Sequence, residues 1–423
     1  MRISSNTIFD SNVAALNQQQ TRLLHTQQQI ASGRRLLTAS DDPVAATRAL
    51  EISQAEATNT QYASNRDSAR HTLSLAESTL QAVTSLILDA RDATIAAGNG
   101  SLDSSGRKAI ATDMTAKLQE LTGLANSTDG LGNYLFAGFQ SRTKPFVDTP
   151  TGMGFFGDDG QNLVQVASNR QMATSDSGAD VFMRIKNGNG TFLAQATAAN
   201  TGTGVTSAGS VTDSASLKAG HSYKLTFSVG PDAPGGPNLT KYVVWDSTPP
   251  AAPPGTQVLP DPLLPPPPAP AVLGVPYVSG QAISFDGMQI DIKGAPANGD
   301  SFTVAPSANE SVFNTISDLI TALNAPVVGA NLTNSLGHGL HQLDNALNNV
   351  LTTRATLGLR LNELDALQIA GENMGLQFKQ TLSKLQDTDY NKAISDLTQQ
   401  NMSLQAAQKS FVKATDLSLF NYI

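Results

Sequence analysis

Any chemistry in this chain of 423 residues has to be done without thiols, because it contains no cysteine. It holds five histidines, His25, His71, His221, His338 and His341, and only the last two, in HGLH, pair at near-helical spacing. Two imidazoles so placed could share a metal ion, but a zinc hydrolase helix also supplies a glutamate between them, and none stands here. The pair reads instead as a solvated helix start beside Gly337 and Gly339. Paired carboxylates, Asp41 and Asp42 in SDDP, could serve acid–base catalysis or hold calcium. Pro43 directly behind them favours a helix cap: Asp42 accepts the first free amides, and proline suits the first helical position. Glycine turns such as GQNLVQ do not match a phosphate cradle, and no nucleophile elbow is present. No catalytic residue, cofactor or metal site is expected, and the chain reads as no enzyme.

The composition agrees. Aromatic content is 5%, charged content 15% and net charge −8, so there is no basic stripe to neutralise nucleic-acid phosphates or an anionic membrane. The opening MRISSNTIFDSNVAAL has no apolar core, so no ordinary secretory signal peptide is expected. No run approaches the roughly 18 apolar residues of a membrane span, so no membrane insertion is expected.

Apolar spacing divides the chain into three zones. In LNQQQTRLLHTQQQIASGRRLL, Leu16, Leu23, Ile30 and Leu37 recur every seventh residue among glutamines. After the SDDP cap, Leu73, Ala76, Leu80, Val83, Ile87 and Ala90 mark a second helix, and Ile110, Met114, Leu118, Leu121 and Ala125 a third. Towards the other end, Leu340, Leu343, Leu347, Val350, Leu357, Leu361 and Leu364 keep one heptad phase, continued by Phe378, Leu382 and Leu385. Arg354 and Gln368 are its polar interruptions, Gly371 and Gly375 its small ones. An unbroken helix over 340–385 would be roughly 70 Å long. A break at QDTDYNK precedes a last seam of Tyr390, Ile394, Leu397, Leu404 and Phe411.

Between the helical zones, from about 146 to 305, glycine, threonine, serine and aspartate dominate. YKLTFSV and AISFDGMQIDI alternate as strands do, so that Tyr223, Leu225, Phe227 and Val229 share a face. GDDG and NGNGTF read as hairpin punctuation. A tract over 249–276 gathers most of the 21 prolines and is expected to stay out of any sheet as a polyproline-like loop.

Helices from both ends thus bracket a mainly β insertion. The simplest use of two matching terminal seams is mutual, Leu16, Leu23 and Ile30 against Leu397, Leu404 and Phe411, in an antiparallel or a parallel pair. A few leucines bury too little to offset the backbone entropy of two long helices. Further partners are required, and amide-rich faces suit neighbouring copies because they cross an interface without burying unpaired ions.

QIASGRRLLTASDDPVAAT, GNYLFAGFQSRTKPF, GAPANGDSFTVAP and the closing ATDLSLFNYI resemble the flagellin-like hook-associated protein 3 family. Asp41 and Asp42 are followed by Pro43 and Val44 where flagellin has alanine and glycine, and SLFNYI is closer to the junction proteins. The resemblance implies a mainly α fold with terminal helices paired as a coiled coil. By zone, 1–40 with 386–423 are assembly segments, 41–145 with 306–385 a helical rod, and 146–305 an outward β domain. It further implies a structural subunit at the hook–filament junction of the bacterial flagellum, outside the cell, exported unfolded by the flagellar type III route. Its implied partners are copies of itself in a helical ring, the first hook-associated protein, flagellin and an export chaperone. The assembly interface is expected at Leu16, Leu23, Ile30, Leu37, Ile394, Leu397, Leu404 and Phe411. A filament-forming flagellin, an exported enzyme and an adhesin are the competing readings.

Overall fold

A computed structural model of the protein describes residues 5–150, 152–231, 236–248, 255–260, 274–326 and 329–419. Its helices are α1 (Ser5–Ser32), α2 (Pro43–Ala97), α3 (Ser104–Ala125), α4 (Gly178–Phe182), α5 (Val312–Asn324), α6 (Ala330–Gln386) and α7 (Tyr390–Leu419). Its first strands are β1 (Phe146–Thr149), β2 (Gly152–Phe155), β3 (Leu163–Ala167), β4 (Arg170–Ala173), β5 (Ile185–Lys186), β6 (Phe192–Ala196), β7 (Val205–Thr206) and β8 (Ser210–Val211). There follow β9 (Tyr223–Pro231), β10 (Asn238–Asp246), β11 (Thr256–Leu259), β12 (Val275–Pro276), β13 (Ala282–Phe285), β14 (Met288–Lys293), β15 (Ser301–Pro306) and β16 (Asn309–Glu310). The mainly α fold with a β insertion is therefore observed. Two compact units form: a terminal unit from Met1–Asp67, Gln165–Arg170 and Leu364–Ile423, and a central unit from Ser68–Val164 and Gln171–Glu363.

In the central unit the apolar spacing is realised as burial. Leu73, Leu80, Val83, Ile87 and Ala90 of α2 are inaccessible, as are Met114 and Leu121 of α3 and Leu343, Val350 and Leu357 of α6. The polar interruption at Arg354 is an ion pair, its guanidinium donating twice to Glu77 Oε1 at 2.9 and 2.6 Å. Arg91 adds a second tie between α2 and α6, to Asp344 at 2.7 Å. The GNYLFAGFQSRTKPF stretch supplies Phe136 and Phe146 to an aromatic cluster with Phe182 and Phe313, ring centroids 5.2–5.9 Å apart.

The larger sheet runs β11-β10-β9-β15-β6, with β12 also pairing β10, and a smaller one runs β13-β14-β7 with β8 against β14. Both face one core of Tyr223, Leu225, Phe227, Val244, Phe302 and Val304 on one side and Ile283, Met288, Ile290 and Ile292 on the other. Val229, grouped with the core face by alternation, is 39% exposed, because β9 is leaving the core there. Asp286 and Gly287, both at positive φ, form the two-residue turn between β13 and β14. GAPANGD closes a loop: buried Asp300 accepts the amides of Thr201, Gly202 and Ala297 at 2.8–3.0 Å.

Four expectations are corrected. HGLH lies inside α6, two turns past its start, and His338 is largely buried while His341 is exposed. Neither GDDG nor NGNGTF joins paired strands: β2 pairs β1, and β5 and β6 belong to different sheets. Most of the proline tract lies outside the described residues, but its last two residues, Val275–Pro276, pair with β10, and its proline-free stretch Thr256–Leu259 also enters the sheet against β10. Every residue of that stretch keeps its amide donor, so the reason for excluding it fails there. Leu37 continues the spacing of Leu16, Leu23 and Ile30 but not their helix, because α1 ends at Ser32 and Gly33 turns the chain at φ +69°.

One face of α6 is less expected. Asn331 donates to the carbonyls of Ala198 and Asn200, Asn334 to Gly204, Asn345 to Lys186 and Gly188, and Asn349 to Asp180 and Val181, all within 2.8–3.3 Å. Below them Arg360 grips Asp176 with two bonds of 2.9 Å. This amide ladder fastens the backbone of the insertion to the helix.

Candidate assembly surface

The terminal unit is built from the two seams. α1 and α7 pack together antiparallel: the rings of Phe9 and Phe411 lie 5.3 Å apart at one end, and the backbones of Arg34 and Asp387 pair in an isolated antiparallel bridge at the other. On that register Leu16 stands level with Leu404 and Leu23 with Leu397. Leu16, Leu23, Ile30, Leu397, Leu404 and Phe411 are each half-buried, while Ile394 is 53% exposed. Leu37 lies in the α1–α2 turn, where with Leu36, Ala46, Ala49 and Leu50 it lines a cleft of about 270 Å³.

Polar groups lock the elbows at both helix ends. Gly33 takes the left-handed conformation that terminates α1, and Tyr390 Oη occupies the space that a side chain there would need. The Arg35 amide donates to the Gln386 carbonyl at 2.6 Å, the Arg35 guanidinium to Leu385 O at 2.8 Å, and the Thr388 amide to Gly33 O at 3.0 Å. Asp42 accepts from the Ala45 amide at 3.0 Å as the cap of α2, with Pro43 first in the helix. Asp41 turns the other way. Its carboxylate accepts the amides of Thr38 and Leu37 at 2.8 and 2.9 Å and touches His25 Nε2 at 3.1 Å. The Thr38 amide is the largest influence lowering its pKa to about 2, with the Leu37 amide and His25 acting the same way against a smaller opposing effect of burial. Asp389 caps α7 by accepting from the Asn391 and Lys392 amides.

The interruptions of the long heptad also find their reason. Arg66, almost fully buried, donates to Gln368 Oε1 at 2.8 Å and Val166 O at 2.9 Å, and Asn59 donates to Gly371 O at 2.8 Å. A side chain at Gly371 would collide with the Arg66 guanidinium. Sequence reasoning flagged these positions as polar or small without a partner to explain them.

Burial in this unit is inverted. Among the described residues its fully buried apolar side chains are Ala45, Ala49, Val166, Leu364 and Ala393. Large ones point outward: Val44 is 78% exposed and Leu50 69%, with Leu24, Ile369, Leu376, Met402 and Val412 each more than half exposed. Gln19 and Gln400, level on the two helices, each bury a side-chain oxygen that finds no hydrogen-bond partner. Each such orphan costs about 1–3 kcal/mol, so the α1–α7 pair is weakly held by its own contacts. An exposed apolar surface of this extent over a poor core is the candidate interaction surface of this chain. Among the described residues no three metal-binding side chains gather as a metal site would require, and no helix is long and apolar enough to cross a membrane.

Residues 3–141 match the bacterial flagellin N-terminal helical region, and residues 191–306 match the D3 domain of flagellar hook-associated protein 1. The chain is 29% identical to flagellar hook-associated protein 3 of Salmonella typhimurium over 99% of each. The crystal structure of the flagellar junction protein FlgL from Legionella pneumophila is 32% identical, covering 80% of this chain and all of that one with a TM-score of 0.68. FlgL of Xanthomonas campestris is 30% identical, covering 78% and 99% with a TM-score of 0.67. The chain belongs to the flagellar hook-associated protein 3 family, structural proteins of the bacterial flagellum.

Proposed function

We propose that this protein is the non-enzymatic subunit that joins the hook-associated ring to the flagellin filament, polymerising through its terminal helices. The inverted burial of the terminal unit carries the proposal: Val44, Leu50, Ile369 and Met402 face outward over a core made mostly of alanine. Copies in a helical ring contact one another through unlike patches, which lets one surface of this kind meet its own chain sideways and other axial proteins above and below. On this reading 1–40 with 386–423 are the assembly segments, 41–145 with 306–385 the helical body, and 146–305 the outward domain. Leu16, Leu23, Ile30, Leu37, Ile394, Leu397, Leu404 and Phe411 belong to the interface. The hook-side neighbour is the first hook-associated protein and the filament-side neighbour flagellin. The chain travels to its place unfolded through the flagellar type III route, escorted by an export chaperone, and works outside the cell.

Removal of roughly thirty-five residues from each end tests the proposal in a cell lacking the native chain. The trimmed protein should be stable yet fail to retain filaments, so that flagellin is shed into the medium. A motile cell with normal filaments would overturn it.

A further inference from the structure

Where α5, α6 and β16 meet in the central unit, a cavity of about 410 Å³ is lined by Glu310, Asp318, His338 and His341, and by no lysine or arginine. Glu310 is its hub. One carboxylate oxygen accepts from Gln342 at 2.6 Å and Asn187 at 3.4 Å, the other from Thr315 at 3.0 Å. His338 Nε2 stands 3.8 Å from the same carboxylate, beyond hydrogen-bond reach, and three donors already occupy that carboxylate. Beside it Gly339 lets α6 lie directly on Leu319 of α5, where even a methyl group would collide.

We propose that His338 is an acid-operated release between α6 and α5: uncharged, its ring helps close the joint, and proton uptake turns it out into the cavity and loosens the two helices.

Three groups face the ring: Glu310 on β16, Asp318 on α5 and His341 on α6 itself. Burial lowers the His338 pKa and outweighs the attraction of the two carboxylates, while His341 adds to the lowering. A buried imidazolium with no short acceptor loses hydration without replacing it. The cavity that His338 lines offers that hydration. Asp318, raised by burial and by Glu310, is at the exposed rim and receives the turned ring. The unfolded chain takes up this proton more readily than the folded one. His338 therefore stabilises the joint above the solvated histidine value of about 6.5, and the contribution is lost as pH falls below it.

Amide exchange of α5 in the full chain, corrected for intrinsic rates, reads the effect. Between about pH 7.5 and 5.5 the wild-type protection near Leu319 and Leu323 should fall several-fold and recover on return. His338→Gln should hold it constant, and His341→Gln, which removes only a minor contribution to the lowering, should keep most of the fall. The proposal is overturned if wild-type protection stays constant, if His338→Gln loses it equally, or if His341→Gln abolishes the effect. Should His338→Gln not fold, the wild-type ring decides by NMR. A midpoint below about 6.5, shared by α5 resonances, supports the release, and a higher or unshared midpoint refutes it.

Discussion

Replacing Leu404 by aspartate should abolish assembly while leaving the central unit as stable as before. Leu404 is half-buried on α7, level with Leu16 on α1. Removing a half-buried leucine forfeits about 1 kcal/mol, half the value for full burial. A carboxylate placed against an apolar, amide-rich seam adds about 1–3 kcal/mol. The total, about 2–4 kcal/mol, falls on the α1–α7 pair that presents the assembly surface and lowers its pairing equilibrium roughly 30-fold to nearly 1000-fold, and the penalty recurs in every copy. Filament retention in a complemented strain and sedimentation of the purified protein read the assembly. Stability of the central unit is read separately, because the chain has a single tryptophan, Trp245 on β10. The unfolding free energy from its fluorescence transition in urea should change by less than about 0.5 kcal/mol. Normal filaments, or a Trp245-reported unfolding free energy changed by several kcal/mol, would refute the reasoning. Adding Leu16→Lys should restore part of the assembly, since the antiparallel register sets the new charges opposite each other.

Gln400→Leu should strengthen the isolated α1–α7 pair by about 1 kcal/mol, because it removes an orphaned acceptor; a rise in the far-UV melting of the terminal helices checks it. Asp41, whose pKa is depressed, stabilises the α1–α2 turn fully above its unfolded value near 3.8, and this is lost as pH falls towards 2. Asp41→Asn should flatten that acid limb in a circular-dichroism titration. Asn345→Ala removes the side-chain donor to the carbonyls of Lys186 and Gly188 and should lower the unfolding free energy read by Trp245 in urea by about 1–3 kcal/mol.

The helices were legible because their apolar positions recur at steps of three, four and seven, and the structure buries Leu73 to Ala90 and Leu343 to Leu364 accordingly. The caps were legible because Asp-Pro has a local mechanism. What escaped was non-local. β15 lies between β9 and β6, more than seventy residues away in each case, and alternation within a strand does not name its neighbour. The amide ladder of α6 escaped because its acceptors are main-chain carbonyls, which carry no sequence signature. HGLH was displaced to a helix start because its glycines read as breakers, whereas Gly339 is there for close packing against Leu319. In the candidate surface the seam positions could be read, but not the direction of pairing. That direction rests on the elbow bonds between Arg35, Gln386 and Thr388.

Amide exchange at Leu16 and Leu404, compared between dilute monomer and assembled junctions, bears most directly on whether the terminal helices are completed by neighbouring copies. Little protection in the monomer and strong protection after assembly is the predicted result. Strong protection in the monomer, unchanged on assembly, would contradict it.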